Sequence, residues 1–258
     1  MDFSFFFDSP YLLYAALGAV LVGMSKGGLP STGSLAVPIL SLAISPIKAA
    51  TLLLPIYVIS DVVGVWLYRK NFSLWNLKVL IPAGVFGVFV GWFTASMIPE
   101  KMVTMLIGVI GVLFCLNTWL RKKPTGTPKP PKLLPGLFWG TLSGFTSFIS
   151  HAGAPPYQVY VLPQQLPKAV FAGTSTLVFA AINFAKILPY QNLRPYVMGD
   201  LMDALVLIPF AIGGTFLGAF LTKKIPDKLF FRLVQIGLFA ISLKLMWGAR
   251  DVFFSSIH

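Results

Sequence analysis

The stretch GMSKGGLPSTGSLAVP, residues 23–38, is an apolar segment that glycine and proline interrupt. A second interrupted segment, SHAGAPPYQVYVLP, occupies residues 150–163. When the two are laid over each other, a serine, a glycine and two prolines coincide: Ser25, Gly28, Pro30 and Pro38 align with Ser150, Gly153, Pro155 and Pro163. Apolar segments broken at matching places in two halves of a chain are typical of the binding site of a membrane transporter.

The similarity continues beyond the broken segments, which indicates that the chain is a duplication. The sequence IPEK at 98–101 resembles IPDK at 225–228, and a Lys-Ala step occurs at both 48–49 and 168–169. A basic, proline-rich segment separates the two copies, as expected of an extended connecting loop. We therefore predict three parts: a first transmembrane repeat over 1–120, the connecting loop over 121–133, and a second transmembrane repeat over 134–258.

The composition places the chain in a membrane. Of its 258 residues, 56% are hydrophobic and only 11% are charged, whereas soluble domains average about 25% charged residues. The net charge of +12 is compatible with nucleic-acid binding, but the cations lie in short loops between apolar runs. That distribution is typical of the positive-inside rule. We therefore expect membrane lipid, and not nucleic acid, as the surrounding partner.

The apolar runs predict an all-α, polytopic integral membrane protein built from two tandem repeats. Each repeat has a broken or re-entrant first element and three transmembrane helices. If the first element crosses the bilayer once, the chain has eight spans and the halves are parallel. If it folds back as a hairpin, the chain has six spans and the halves are inverted. Both models place a similar excess of cations on the cytoplasmic side of the membrane. The acidic N-terminus, which is expected outside, slightly favours the inverted model.

Glycines recur at intervals of three or four residues within two of the predicted spans. This spacing places small residues on one helix face, where they allow membrane helices to approach closely. We therefore interpret these glycines as packing residues and not as ligand contacts: Gly84, Gly87 and Gly91 in the first repeat, and Gly213, Gly214 and Gly218 in the second.

The breaks have the chemistry of an anion site. Where a helix restarts after a break, its first N–H groups and its dipole provide hydrogen-bond donors and positive potential. Lys26 adds a full charge, and it aligns with His151, whose side chain ordinarily titrates near neutrality. Alternatively, Lys26 extends to the membrane interface and His151 bonds to backbone. The predicted substrate-binding residues of the two breaks are Ser25, Lys26, Gly27 and Gly28, and Ser150, His151 and Gly153.

Three further polar residues lie within predicted spans. Asp61 lies midway along the second apolar unit, its counterpart by repeat is Asn183, and Lys186 follows one helical turn later. Ionisable groups at this depth usually mark ion pathways or proton relays. We predict that Asn183 and Lys186 donate to the substrate and that Asp61 carries a coupling proton. The alternative is a structural ion pair between Asp61 and Lys186.

Motifs for other chemistries are absent from the sequence. SKGGLPSTG resembles a phosphate-binding loop in composition, but it does not match GxxxxGK[ST] and no strand precedes it. With two His and one Cys, a zinc or iron–sulfur site is not expected. We therefore expect no cofactor, no metal and no enzymatic activity. An anion channel remains an alternative, and an intramembrane enzyme that acts on a lipid is a weaker one.

The combined pattern resembles the TauE/SafE family of sulfite and organosulfonate exporters. The resemblance covers residues 12–249 and rests on short motifs: Gly23, Gly27, Gly28, Pro30, Pro38, the steps Lys48-Ala49 and Lys168-Ala169, and Asn183. One departure concerns the second break, which reads HAGAPPYQ where many relatives have a more glycine-rich stretch.

The resemblance implies a secondary transporter that exports sulfite, sulfoacetate or a related organosulfonate across the bacterial inner membrane by alternating access. It further implies coupling to an ion gradient. The expected partner is a small anionic substrate, and the formation of a homodimer stays open.

Overall fold

The computed structural model describes residues 10–44, 46–94, 97, 100–120, 128–193, 195 and 198–250. Within these residues the regular structure is helical, without a β-strand. This confirms the predicted all-α class. The α-helices are α1 (Pro10–Lys26), α2 (Pro30–Gly33), α3 (Ala36–Leu40), α4 (Pro46–Tyr68), α5 (Leu74–Thr94), α6 (Glu100–Leu120), α7 (Leu133–Ser150), α8 (Ala154–Val161), α9 (Lys168–Leu193), α10 (Met198–Lys224) and α11 (Asp227–Gly248). A 3-10 turn over Leu162–Gln164 follows α8.

Several helices have the length and apolar composition of membrane spans. A span needs about 20 predominantly apolar residues. Large apolar side chains such as Leu13, Phe93 and Phe184 are exposed on the outer surface, as expected where lipid replaces water. The predicted polytopic membrane protein is therefore confirmed. In the described part of the chain, five helical segments qualify as spans: Lys48–Tyr68, Leu74–Thr94, Lys168–Leu193, Leu201–Lys224 and Asp227–Gly248.

The first broken segment turns back on itself. After α1 ends at Lys26, the backbone reverses at Gly28, whose φ of +114° is a conformation that glycine adopts without steric cost. The Thr32 hydroxyl then lies 2.8 Å from the carbonyl of Leu29 and 3.0 Å from that of Leu21, and Leu21 lies more than a turn before the break. Helices α2 and α3 therefore return alongside α1 as the second arm of a hairpin.

The second broken segment forms a similar hairpin. Helix α7 is followed by His151, which has a φ of 53° and is left-handed. The Ser143 hydroxyl donates to the carbonyl of Gly153 at 2.8 Å. Farther from the break, the Tyr160 hydroxyl donates to the carbonyl of Lys132 at 3.0 Å. Helix α8 thus runs back along α7 toward the start of α7.

Glycines allow the first arm of each hairpin to pack closely on a helix of the other half. A Cβ built on Gly23 would meet the backbone of Ala211 and Thr215, so α1 and α10 lie in backbone contact. In the same way, Gly84 and Gly144 join α5 to α7. The interpretation of the spaced glycines as packing residues is confirmed for Gly84, Gly87, Gly91, Gly214 and Gly218. It is wrong for Gly213, which faces open space.

Helices at corresponding positions of the two halves cross with opposite chain directions. A Cβ on Gly64 of α4 would meet Thr176 of α9, and one on Gly173 would meet the Tyr68 side chain, so α4 and α9 are antiparallel. The thiol of Cys115 in α6 donates to the carbonyl of Gln235 in α11 at 3.6 Å. The crossing brings Asp61 of α4 into hydrogen-bond contact with Asn183 of α9.

Candidate functional site

A small cavity lies between the two breaks and the crossing of α4 with α9. The volume in which the centre of a water molecule fits is about 30 Å³, which is the space of a few waters or one small oxyanion. Six of the residues predicted from the sequence line it: Ser25, Lys26, His151, Gly153, Asn183 and Lys186.

Lys26, at the end of α1, forms a buried ion pair with Asp61 of α4. The Nζ of Lys26 lies 2.8 Å from Oδ1 of Asp61, and the two residues are 3% and 4% exposed. The amide of Asn183 donates to the second carboxylate oxygen at 2.8 Å. The alternative in which Lys26 extends to the interface is therefore wrong. The alternative pairing of Asp61 with Lys186 is wrong too, because Lys26 occupies the carboxylate.

Two aromatic rings enclose the Lys26 ammonium. Its Nζ lies 5.1 Å from the centroid of Tyr57 and 5.7 Å from that of Phe179, within the range of cation–π attraction. The sequence interpretation missed both rings. A signal was present, because Tyr57 and Phe179 stand four residues, about one helical turn, before Asp61 and Asn183.

Lys186 is fully buried, and neutral acceptors hold it. Its Nζ lies 3.1 Å from the carbonyl and 3.1 Å from the hydroxyl of Ser147. The Nδ1 of His151 lies 3.5 Å away. The end of α7 therefore positions this lysine through Ser147 and His151. The role of Ser147 was not predicted.

His151 links Lys186 to Tyr190 through a chain of hydrogen bonds. The Tyr190 hydroxyl donates to the carbonyl of Phe148 at 3.0 Å and lies 2.9 Å from Nε2 of His151. Because a lysine ammonium presents only N–H donors, Nδ1 of His151 must accept from Lys186. The ring proton then lies on Nε2, where it faces the Tyr190 oxygen. These contacts assign a neutral imidazole, stacked on Tyr57 at 5.7 Å. His151 thus orients Lys186 and adds no charge of its own.

The other predicted residues of the breaks do not reach the cavity lining. A Cβ on Gly27 would meet the α10 backbone at Gly218 and Ala219, and one on Gly28 would meet Tyr68, Ala172 and Thr222. These glycines serve helix packing and the reversal of the chain. The Ser150 hydroxyl donates to the carbonyl of Thr146 at 3.3 Å in its own helix.

Backbone donors contribute less to the site than the sequence suggested. Pro30 opens α2, and Pro155 and Pro156 occupy the first turn of α8. Proline has no N–H group, so the expected row of free donors at the restarting helices is largely missing. The restarting helices therefore offer fewer backbone donors at these positions than the sequence analysis assumed. Lysine side chains add positive potential to the cavity.

The hydroxyls of the lining are also engaged with the protein. Ser25 donates to the carbonyl of Val22 at 2.6 Å, Tyr57 to that of Gly33 at 2.7 Å, and Thr176 to that of Lys26 at 3.0 Å. A hydroxyl has one proton to donate, so the Lys26 ammonium, whose one hydrogen-bonding partner among the described residues is Asp61, is the principal donor toward a ligand. In the described residues, no group of three His, Cys, Asp or Glu side chains is arranged as metal ligands would be.

Comparison with known proteins agrees with this architecture. A family model described as "Sulfite exporter TauE/SafE" matches residues 15–245, which is nearly the whole chain. No curated protein and no solved structure gives a significant match.

Proposed function

The chain belongs to the TauE/SafE sulfite exporter family, and on that premise we propose that it is a secondary transporter for a small anion. The substrate class is sulfite, sulfoacetate or a related organosulfonate, which the protein exports across the bacterial inner membrane. The multi-pass helical structure and the family membership establish a membrane transport protein; the substrate and the mechanism are the proposal.

One observation carries the proposal: two buried lysines, Lys26 and Lys186, line a single polar cavity between the breaks. A charge inside a membrane protein costs free energy and usually marks a transport pathway. Only one carboxylate, that of Asp61, is buried among the described residues. An excess of cations in a cavity of this size suits a small anionic substrate.

Alternating access requires two bodies that move around a fixed site. We propose that the two halves are inverted repeats, each with a re-entrant hairpin and three spans. The antiparallel crossing of α4 with α9 supports this, as does the reciprocal packing of α1 on α10 and of α7 on α5. Inverted repeats that meet at a midplane site are a recurrent architecture for rocking transporters. In this arrangement the basic loops near Arg69, Lys168 and Lys223 face the cytoplasm.

Coupling to an ion gradient is assigned to Asp61. Its carboxylate lies between Lys26 of the first break and Asn183 of the other half. Protonation of Asp61 releases Lys26 from its ion pair, so a proton and an anion influence each other at one site. Such a shared contact is what coupled transport requires.

Two measurements test the proposal. Purified protein is first heated with sulfite, sulfate, thiosulfate or alkyl sulfonates; a ligand of the folded state raises the apparent melting temperature. Flux is then followed in proteoliposomes. Saturable flux that responds to a proton gradient supports a transporter, whereas flux that rises linearly with concentration indicates a channel. If no anion stabilises the protein and none crosses the membrane of the proteoliposomes, the proposal fails.

A further inference from the structure

We propose that the cavity selects small oxyanions that carry a single negative charge, because its buried side chains carry one uncompensated positive charge. This inference rests on the proposed function, since it narrows the substrate class of the same site. Within that class it favours bisulfite and simple alkyl sulfonates over sulfoacetate, which carries two negative charges at neutral pH.

The charge count involves few groups. Among the described residues, the buried Asp, Glu, Lys, Arg and His side chains are Lys26, Asp61, His151 and Lys186. Lys26 and Asp61 form an ion pair at 2.8 Å, so their charges cancel. The hydrogen bonds of His151, which accepts from Lys186 and donates to Tyr190, require the neutral ring. The ammonium of Lys186 remains.

Among the described residues, no carboxylate forms an ion-pair contact with Lys186. Its contacts are the carbonyl and hydroxyl of Ser147 and the Nδ1 of His151. Neutral acceptors solvate an ammonium group but do not neutralise it. A buried, unpaired charge is costly in a medium of low dielectric constant, and a bound counter-ion offsets that cost.

The two lysines contribute to anion binding in different ways. Lys186 directs its N–H bonds to Ser147 and His151, whereas Lys26 has one polar partner, Asp61, among the described residues. An ammonium has three N–H bonds, so Lys26 has bonds left for an anion in the cavity. Lys26 therefore supplies direct donors, and Lys186 supplies the net charge.

A single negative charge makes the occupied cavity neutral. A dianion leaves one excess negative charge close to the Asp61 carboxylate. One unit charge about 4 Å away, at an effective dielectric constant near 20, corresponds to an affinity change on the order of 1,000-fold. Removal of the Asp61 charge gives the cavity two positive charges and should reverse the preference.

Isothermal titration calorimetry with methanesulfonate and sulfate tests this count. Both anions are small and tetrahedral at sulfur, they have fixed charges of one and two at neutral pH, and they are compared at equal ionic strength. The purified wild-type protein should bind methanesulfonate more tightly. Asp61→Asn should bind sulfate more tightly. The double variant Asp61→Asn with Lys186→Met again has one net positive charge in the cavity, and it should bind methanesulfonate more tightly than sulfate.

Lys186→Met alone should lose affinity for both anions by at least about tenfold, or about 1.4 kcal/mol. Lys244→Met, which removes an exposed lysine of α11, is the matched control and should bind as the wild type does. If Asp61→Asn does not fold, the preference of the wild type and the affinities of Lys186→Met still decide the question.

Three outcomes overturn the inference while anion binding itself survives: a wild type that prefers sulfate, an Asp61→Asn protein with an unchanged preference, or undiminished binding by Lys186→Met. Failure of every protein to bind either anion, or any anion of the stability screen, overturns the proposed function as well. The two failures are therefore distinguishable.

Discussion

The Nζ of Lys26 lies 2.8 Å from the Oδ1 of Asp61, so a carboxylate of α4 holds the end of the first hairpin arm. The second oxygen of that carboxylate accepts a hydrogen bond from Asn183 at 2.8 Å. Asp61 therefore connects a break of one half to the central helix of the other. The carboxylate, and not only the cations, organises the cavity.

The ion pair predicts a specific pattern of stability. Lys26→Met leaves the Asp61 carboxylate buried without a cation and should lower the free energy of unfolding by about 3–5 kcal/mol. The double variant Lys26→Met with Asp61→Asn removes both charges and should regain most of that loss. Thermal unfolding in detergent measures both. Equal melting temperatures for the single and double variants would show that the two residues are not coupled.

Adjacent glycines of α10 provide a test of the packing. A Cβ on Gly214 would lie 2.9 Å from the Cα of Val20, whereas Gly213 has open space around it. Gly214→Ala should destabilise the protein by about 1–3 kcal/mol through overpacking. Gly213→Ala should be neutral or gain up to about 1 kcal/mol from helix propensity. Melting temperatures in the same detergent compare the two; the opposite order would contradict the contact of α1 with α10.

Tyr190 is predicted to act on the anion through His151 and Lys186. Tyr190→Phe removes the hydroxyl that holds Nε2 of His151, at a cost of about 0.5–1.5 kcal/mol in stability. Because His151 then orients Lys186 less well, methanesulfonate affinity should fall several-fold. Tyr14→Phe, which changes a half-buried tyrosine of α1 outside the cavity lining, serves as control. Unchanged affinity in Tyr190→Phe would limit this tyrosine to a packing role.

The inverted arrangement predicts which loops share a side of the membrane. Single cysteines are introduced at Asn71, Lys224 and Met198, which are exposed, after Cys115→Ser. A membrane-impermeant maleimide should label Asn71→Cys and Lys224→Cys from the same side, and Met198→Cys from the opposite side. Labelling of Asn71→Cys and Lys224→Cys from opposite sides would favour the model with eight spans and parallel halves.

The sequence allowed the fold class and the location of the site to be predicted, because both depend on composition and on matching interruptions. Long apolar runs permit few structures in lipid, and two breaks at corresponding positions indicate a common cavity. Lys26 and Asp61 were recognisable because charges inside spans are rare. The boundaries of the two repeats and the roles of the individual site residues stay predictions.

The partners within the site could not be predicted from the sequence. The choice of Lys26 over Lys186 as the partner of Asp61 depends on how α1 and α4 are rotated about their axes, which periodicity does not determine in a helix that is apolar all round. The contact of Gly27 with α10 depends likewise on tertiary packing. The loss of backbone donors at Pro155 and Pro156, in contrast, was visible in the sequence, since proline lacks an N–H group.

Sulfite efflux from proteoliposomes tests most directly whether the cavity carries the anion. The double variant Lys26→Met with Asp61→Asn removes the direct donors without leaving an unpaired charge at that position, and Lys244→Met controls for the loss of a lysine. With comparable amounts of folded protein in the vesicles, efflux through the double variant should fall at least about tenfold, equivalent to about 1.4 kcal/mol, while Lys244→Met retains the wild-type rate. Efflux at the wild-type rate in the double variant would contradict the account.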